Sequence, residues 1–273
     1  MLRKRKKIRI LVAIPHYFDK LSIHDNEFGS YESVNYKFRN GIIQNTFASL
    51  RGCLKSLEMD STVLVFGIGN QYLKKPSIKI DLVNPKHIPW KAIEEMYKRV
   101  EDFDYFLFLE DDIIISSQLI LELLALDREL NENETVIPNR IELQSGKPFC
   151  VDIIAMPGWN PEIFSVKGKD LAVPRNIHSG FMFLSKEKFI RAFSLRKYVE
   201  PTIIIGDYMA SALVNIHSAL KVYRSLPTSS TLTVLHQDSW TERMVQNGRY
   251  TKIGLEKLIT EAEIAEEMIL KNS

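Results

Sequence analysis

The run Phe106-Leu-Phe-Leu-Glu-Asp-Asp-Ile-Ile-Ile115 places three adjacent carboxylates inside an otherwise apolar stretch. Its first part, Tyr105–Leu109, reads as a buried strand, and the strand runs directly into Glu110, Asp111 and Asp112. Burying carboxylates without compensation is costly, and three in a row also repel one another. A divalent cation is an economical compensation, and hard oxygen ligands suit Mg²⁺ or Mn²⁺. If the chain stays extended, Glu110 and Asp112 point to one face and Asp111 to the other, so two of the three act on one ligand. The plainer alternative is a strand-end turn with solvated carboxylates. Against it, apolar residues resume at once on both sides, where an exposed turn more often carries Gly, Pro or Asn.

Upstream of this run, strand and helix patterns alternate. Lys7–Ile14 is β-branched and bounded by Pro15, Ser61–Phe66 ends at Gly67, and Ile78–Val83 is a weaker third strand. Between them, Ile42–Leu57 and Pro89–Val100 carry helical spacing, and His16–Asn40 reads as a long polar and aromatic loop. This alternation predicts an α/β fold, with a mostly parallel central sheet flanked by helices. Ligands of such sheets bind outside the carboxyl ends of the strands. Three segments fall at such ends: Pro15-His16-Tyr17, Gly67-Ile68-Gly69-Asn70 and Glu110-Asp111-Asp112.

Downstream, helices are expected over Leu119–Leu130, Lys186–Phe193 and Asp207–Lys221. Short strands are expected over Thr135–Glu142, Phe149–Ala155, Phe181–Leu184 and Thr231–Leu235, forming a smaller C-terminal sheet. Met156–Arg175, rich in Pro, Gly and Trp, reads as a loop over a site. Leu255–Leu270 has one apolar helical face, expected to pack on the domain. With no repeat and no low-complexity linker, the 273 residues are read as a single domain.

A hydrophobic fraction of 45% excludes wholesale disorder, and a formal charge of +2 argues against a dedicated nucleic-acid binder. The basic block Arg3–Lys7 is read as a solvated tail, with peripheral contact to an anionic membrane surface as the sharper alternative. Cys53 and Cys150 form no CxxC pattern, which fits a reducing, cytoplasmic compartment and offers no zinc site. The apolar stretch Ile8–Ile14 is interrupted by Arg9, so neither a signal peptide nor a membrane span is read there. Any membrane attachment is expected to be peripheral, at the inner face.

The stretch Phe-Leu-Glu-Asp-Asp-Ile, followed by Ile-Ile-Ser-Ser and a helix, resembles the DxD-type motif of GT-A fold glycosyltransferases in its Glu-Asp-Asp form. Three further segments resemble that family in the expected order: Asn176-Ile-His-Ser-Gly-Phe-Met-Phe-Leu-Ser185, Ile205-Gly206-Asp207-Tyr208 and Leu235-His236-Gln237. The resemblance implies a Rossmann-like GT-A fold, with residues 1–115 as the nucleotide-sugar half and 116–273 as the acceptor half. It implies Asp112 and His236 as ligands of Mn²⁺ or Mg²⁺. Glu110 and Asp111 would serve the nucleotide-sugar by that resemblance; His16 and Tyr17, by their place just after the first strand, could stack on or hydrogen-bond its base, an ordinary strand-end loop being the equal alternative. Asp207 is implied as the catalytic base of an inverting reaction, with an N-cap of the helix it opens as the plainer reading and retention as the outcome if it only orients the acceptor. Gly206 stands where the family's xED motif carries Glu, and the His16–Asn40 stretch has no counterpart. Trp159, Ser179 and Gly180 are expected on the acceptor side, with Trp240 a second candidate sugar platform.

The activity so implied is transfer of a hexosyl or N-acetylhexosaminyl group from a nucleotide-sugar, a UDP-sugar by family frequency. The acceptor would be a glycan, lipid-linked or small-molecule hydroxyl. Arg140, Arg175 and Lys186 could hold an anionic acceptor, with solvated surface charge as the default reading. The alternatives are a metal-dependent nucleotidyl or phosphoryl transferase and a non-catalytic sugar-binding protein on the same fold. The former wants a Gly-rich basic loop after the first strand, and Pro15-His16-Tyr17-Phe18 is not one.

Overall fold

Seven residues, Arg9–Pro15, form β1, and all but the first are buried. So continuous an apolar run belongs to a strand covered on both faces. In this computed structural model, which describes residues 7–16, 36–68, 75–80, 87–144, 147–152, 159–174, 180–194, 208–226, 231–237 and six positions beyond 253, β1 is the centre of a five-stranded sheet. It pairs in parallel with β2 (Asp60–Gly67) on one side and with β4 (Tyr105–Leu109) on the other. The two-residue β3 (Ile78–Lys79) extends the β2 side. Phe181–Ser185, the eleventh strand in chain order (β11), closes the β4 side antiparallel.

Period-two alternation along β1 divides the core. Ile10, Val12 and Ile14 pack with Leu50, Cys53 and Leu54 of α1 (Tyr36–Ser56) and with Leu119, Ile120 and Leu123 of α3 (Ser117–Asp127). Leu11 and Ala13 face the opposite layer, where α2 (Ile88–Lys98) contributes Trp90, Ile93 and Met96. Helices α4 (Lys186–Phe193) and α5 (Tyr208–Ala219) complete that layer through Phe189, Phe193, Leu213 and Ile216. Both cysteines are buried, and burial pushes the Cys53 thiol pKa up, so it packs as a small apolar group. Among the described residues, no helix is long and apolar enough to cross a membrane.

The expected smaller C-terminal sheet is instead two four-stranded sheets. One runs β6 (Glu134–Val136), β12 (Lys221–Leu226), β10 (Lys169–Pro174), β9 (Trp159–Val166). The other runs β5 (Ile113–Ile114), β13 (Thr233–His236), β7 (Asn139–Gln144), β8 (Lys147–Cys150). Pro138 explains the split. Lacking an N–H, it interrupts the single strand expected over Thr135–Glu142, and the two pieces join different sheets. Ile137 N–H still bonds Tyr223 O in one sheet, while Asn139 N–H bonds Leu232 O toward the other.

Much of the loop expected over Met156–Arg175 is the β9–β10 hairpin. Its turn residues Lys167 and Gly168 both have positive φ, 51° and 69°, as a two-residue hairpin turn of matching twist demands. Val222–Leu226, unmarked in the sequence reading, is strand, and the expected strand over Phe149–Ala155 ends at Cys150. Helix α1 begins at Tyr36, inside the expected His16–Asn40 loop. The expected C-terminal helix lies largely outside the described residues.

A buried ion triad stitches the two small sheets. Asp152 accepts from Arg140 Nε at 2.9 Å and Nη2 at 2.8 Å, and from Nη1 of Arg224, which also donates to Pro138 O at 2.9 Å. Arg224 is 1% exposed. Arg140 is therefore a core residue rather than a surface cation for an anionic acceptor. Removing one partner of a buried ion pair typically costs about 3–5 kcal/mol. Asp152→Ala is expected to destabilise by that amount in urea unfolding; a loss under about 1 kcal/mol would show that the triad is energetically idle.

Candidate functional site

The chain runs β1, β2, β3 outward on one side of β1 and returns to place β4 on the other side. The point where strand order reverses lies between β1 and β4, and open α/β sheets take their ligands outside the carboxyl ends of the strands at such a point. His16 follows β1 at that point, and Glu110, Asp111 and Asp112 follow β4. The acidic run does not stay extended. It turns, with Ile113 N–H reaching Glu110 O at 3.3 Å, and the chain leaves the central sheet to enter the small one as β5. The three acids thus occupy a corner between two sheets.

That turn separates their side chains. Asp111 goes back toward β1, where its carboxylate bonds His16 Nδ1. His16 is 1% exposed and its N–H donates to Phe66 O at 2.8 Å, so the pair ties the ends of β1, β2 and β4 together. Glu110 and Asp112 instead meet His236. Nε2 of His236 lies 3.9 Å from Glu110 Oε2 and 3.8 Å from Asp112 Oδ1. One ligand atom from each of these three residues lies within 4.8 Å of the others.

Two ladders deliver His236. Strand β13 pairs antiparallel with β5, setting His236 against Ile113, and Gln237 N–H bonds Asp112 O at 2.9 Å. On its other edge β13 pairs in parallel with β7 in the register Leu235 to Ile141, which carries His236 alongside Glu142. There Nδ1 of His236 meets Glu142 Oε1 at 2.8 Å. With the Nδ1–H donated to that carboxylate, Nε2 presents its lone pair toward Glu110 and Asp112. Gln237 fastens the corner to α1, its Nε2 lying 3.0 Å from Thr46 Oγ1 and 3.2 Å from Ile42 O.

Glu110 is held from the far side by β11. Its N–H donates to Gly180 O at 2.9 Å, and its carboxylate lies over the Gly180 α-carbon. The donor set of two carboxylates and one oriented imidazole fits a divalent cation that accepts nitrogen as well as oxygen, Mn²⁺ more readily than Mg²⁺.

Of the residues singled out in the sequence, Glu110, Asp112 and His236 converge, and Gly180 touches that group through Glu110. His16 and Asp111 pair beside it. Glu110 and Asp111, each assigned by the resemblance to the nucleotide-sugar, take different partners, Glu110 standing near His236 and Asp111 bonding His16. Lys186 sits at the amino end of the sheet, where its N–H bonds Asp104 O and its ammonium pairs with Glu101, and it takes no part in the site. Tyr17, Arg175, Ser179, Asp207 and Trp240 lie outside the described residues, as does the side chain of Trp159, whose backbone begins β9.

Sequence reasoning missed Glu142. The signal was a pair of charges, Arg140 and Glu142, on one face of a strand whose other face carries Ile141 and Leu143, and both charges prove buried.

No protein-family model matches the sequence, and no curated protein does. A solved glycosyltransferase involved in the glycosylation of the major capsid of PBCV-1 is similar in structure, with a TM-score of 0.40 and 11% identity, covering 86% of this chain and 96% of that one. A likeness of that degree carries no inference about activity.

The Glu142–His236 bond has a measurable consequence. Glu142→Gln keeps an acceptor for the imidazole N–H but removes the charge that strengthens its other nitrogen. Mn²⁺ affinity, followed by electron paramagnetic resonance of the free ion, is expected to fall about 10-fold or more. Equal affinity in the two proteins would exclude an orienting role.

Proposed function

We propose that the chain is a metal-dependent glycosyltransferase that moves a sugar from a nucleotide-sugar donor to a hydroxyl acceptor. The observation that carries this reading is the convergence of Glu110, Asp112 and His236 at the point of strand reversal between β1 and β4. An open α/β sheet takes nucleotides at that point, and the buried acidic corner gives a cation its ligands. The order of the Glu-Asp-Asp, Ser-Gly, Gly-Asp and Leu-His-Gln segments supports glycosyl transfer in particular. A UDP-sugar donor, an inverting course and a glycan, lipid-linked or small-molecule acceptor belong to the same resemblance. The two buried cysteine thiols are consistent with a cytoplasmic setting.

In this reading Asp112 and His236 are the principal cation ligands, and Glu110 closes the set from the central-sheet side. A divalent ion so held supplies a Lewis acid that neutralises the charge developing on a diphosphate leaving group. His16 and Asp111, bonded to each other, stand at the donor end of the proposal, and that bond fixes the imidazole beside the cation group. Asp207 takes the proton of the acceptor hydroxyl as its oxygen bonds the anomeric carbon and the bond from that carbon to the diphosphate oxygen breaks. Trp159, Ser179 and Gly180 lie on the acceptor side of the proposal. A phosphoryl-transfer reading gains no support after β1, where the imidazole is engaged by Asp111 and no basic Gly-rich loop is present in the sequence.

A thermal-shift panel of UDP, GDP, CDP and ADP, with and without Mn²⁺, tests the reading. One nucleotide is expected to raise the melting temperature only with the metal, since a ligand at 100 times its Kd adds about 2.7 kcal/mol. Asp112→Ala is expected to abolish that shift. If no nucleotide stabilises the protein in the presence of Mn²⁺, the proposal is wrong.

A further inference from the structure

The resemblance places Gly180 with the acceptor, but the geometry ties it to the cation group. A β-carbon built on Gly180 would stand no more than 2.7 Å from Cδ, Oε1 and Oε2 of Glu110. Non-bonded carbon contacts settle near about 3.5–4.0 Å, so all three atoms occupy space that any side chain at position 180 would need. The two backbones cannot separate cheaply. Glu110 N–H is bonded to Gly180 O at 2.9 Å, and the ladder continues with Leu109 against Phe181 and Phe108 against Met182, all four buried. Of the two partners the Glu110 side chain is the one that would have to yield, and yielding displaces Oε2 from its present place 3.9 Å from His236 Nε2.

We infer that Gly180 is a positioning residue of the cation site: the missing β-carbon is the seat on which the Glu110 carboxylate is held beside Asp112 and His236. The inference rests on the cation reading given above and assigns Gly180 a part in it that does not involve the acceptor. No φ in the left-handed region is invoked at Gly180; the requirement is for space alone. The requirement is also mutual. Where the carboxylate at 110 is absent, the three atoms nearest to a methyl group at position 180 are gone.

That mutuality supplies the test, a double-mutant cycle of Gly180→Ala and Glu110→Ala on the full chain, read by Mn²⁺ affinity and by melting temperature. Gly180→Ala alone is expected to weaken Mn²⁺ binding about 10- to 100-fold, the range for losing a group that orients a metal ligand. The double variant is expected to match Glu110→Ala in both readouts. Wild-type affinity in Gly180→Ala would overturn the inference. So would a further loss of about 10-fold when Gly180→Ala is added to Glu110→Ala, because Gly180 would then act other than through Glu110. If Gly180→Ala fails to fold, recovery of folding in the double variant supports the seat and continued failure refutes it. If the wild-type protein binds no Mn²⁺, the functional reading fails by itself. The seat is then judged on melting temperature alone: Gly180→Ala must lower it in the wild-type background and leave it unchanged in the Glu110→Ala background.

Discussion

Three consecutive carboxylates at a half-buried to buried corner are the constraint on which the rest of this structure depends. Two unit charges about 4 Å apart interact by about 4 kcal/mol at the effective dielectric near a protein surface, and the sequence puts three side by side. The fold answers by separating them. Asp111 is drawn across to His16 at the end of β1, while Glu110 and Asp112 share His236. Glu142 then adds a further carboxylate behind His236. This last addition makes little sense as charge compensation within the protein. It makes sense if His236 must hold one orientation toward a cation arriving from outside.

The elements that were legible in the sequence are those whose patterns are bounded on both sides by a change of chemistry. Tyr105–Leu109 begins after Asp104 and stops at Glu110, and Lys186–Phe193 follows Ser185 directly, so both match the structure residue for residue. The small sheets were harder to read because they break the usual relation between polarity and exposure. In Asn139–Gln144 the alternation suggests polar residues facing solvent, yet Arg140 and Glu142 are buried while Leu143 is 58% exposed. The strand is turned inside out because its polar face serves the ion triad and His236. Arg224 hid β12 for the same reason. A charged residue at the heart of a buried strand reads as surface until Asp152, far away in sequence, is brought to it.

The acidic cluster shows the same division. Its pairing of Glu110 with Asp112 was anticipated from extended geometry, but the chain reaches that pairing through a turn. What the sequence could not convey was the corner itself, where one polypeptide leaves a parallel sheet and immediately founds another. Glu110 belongs to the first sheet through Gly180, and Asp112 belongs to the second through Gln237. The group of Glu110, Asp112 and His236 is therefore assembled only when the two sheets are correctly docked. Gln237, reaching both Asp112 O and the Thr46 hydroxyl of α1, is a fastener of that docking.

Strand β13 is only four residues long, and His236 is its last. Side chains along a strand alternate faces, so a slip of one residue in its pairing with β7 or β5 would present Leu235 or Gln237 where the imidazole belongs. Neither offers a nitrogen lone pair to a cation. A misregistered molecule would thus be silent rather than altered in what it does. On the proposed reading, the cation bound by a population of these chains would count the correctly registered copies, and the shortest of the ladders around the site would act as its own quality control.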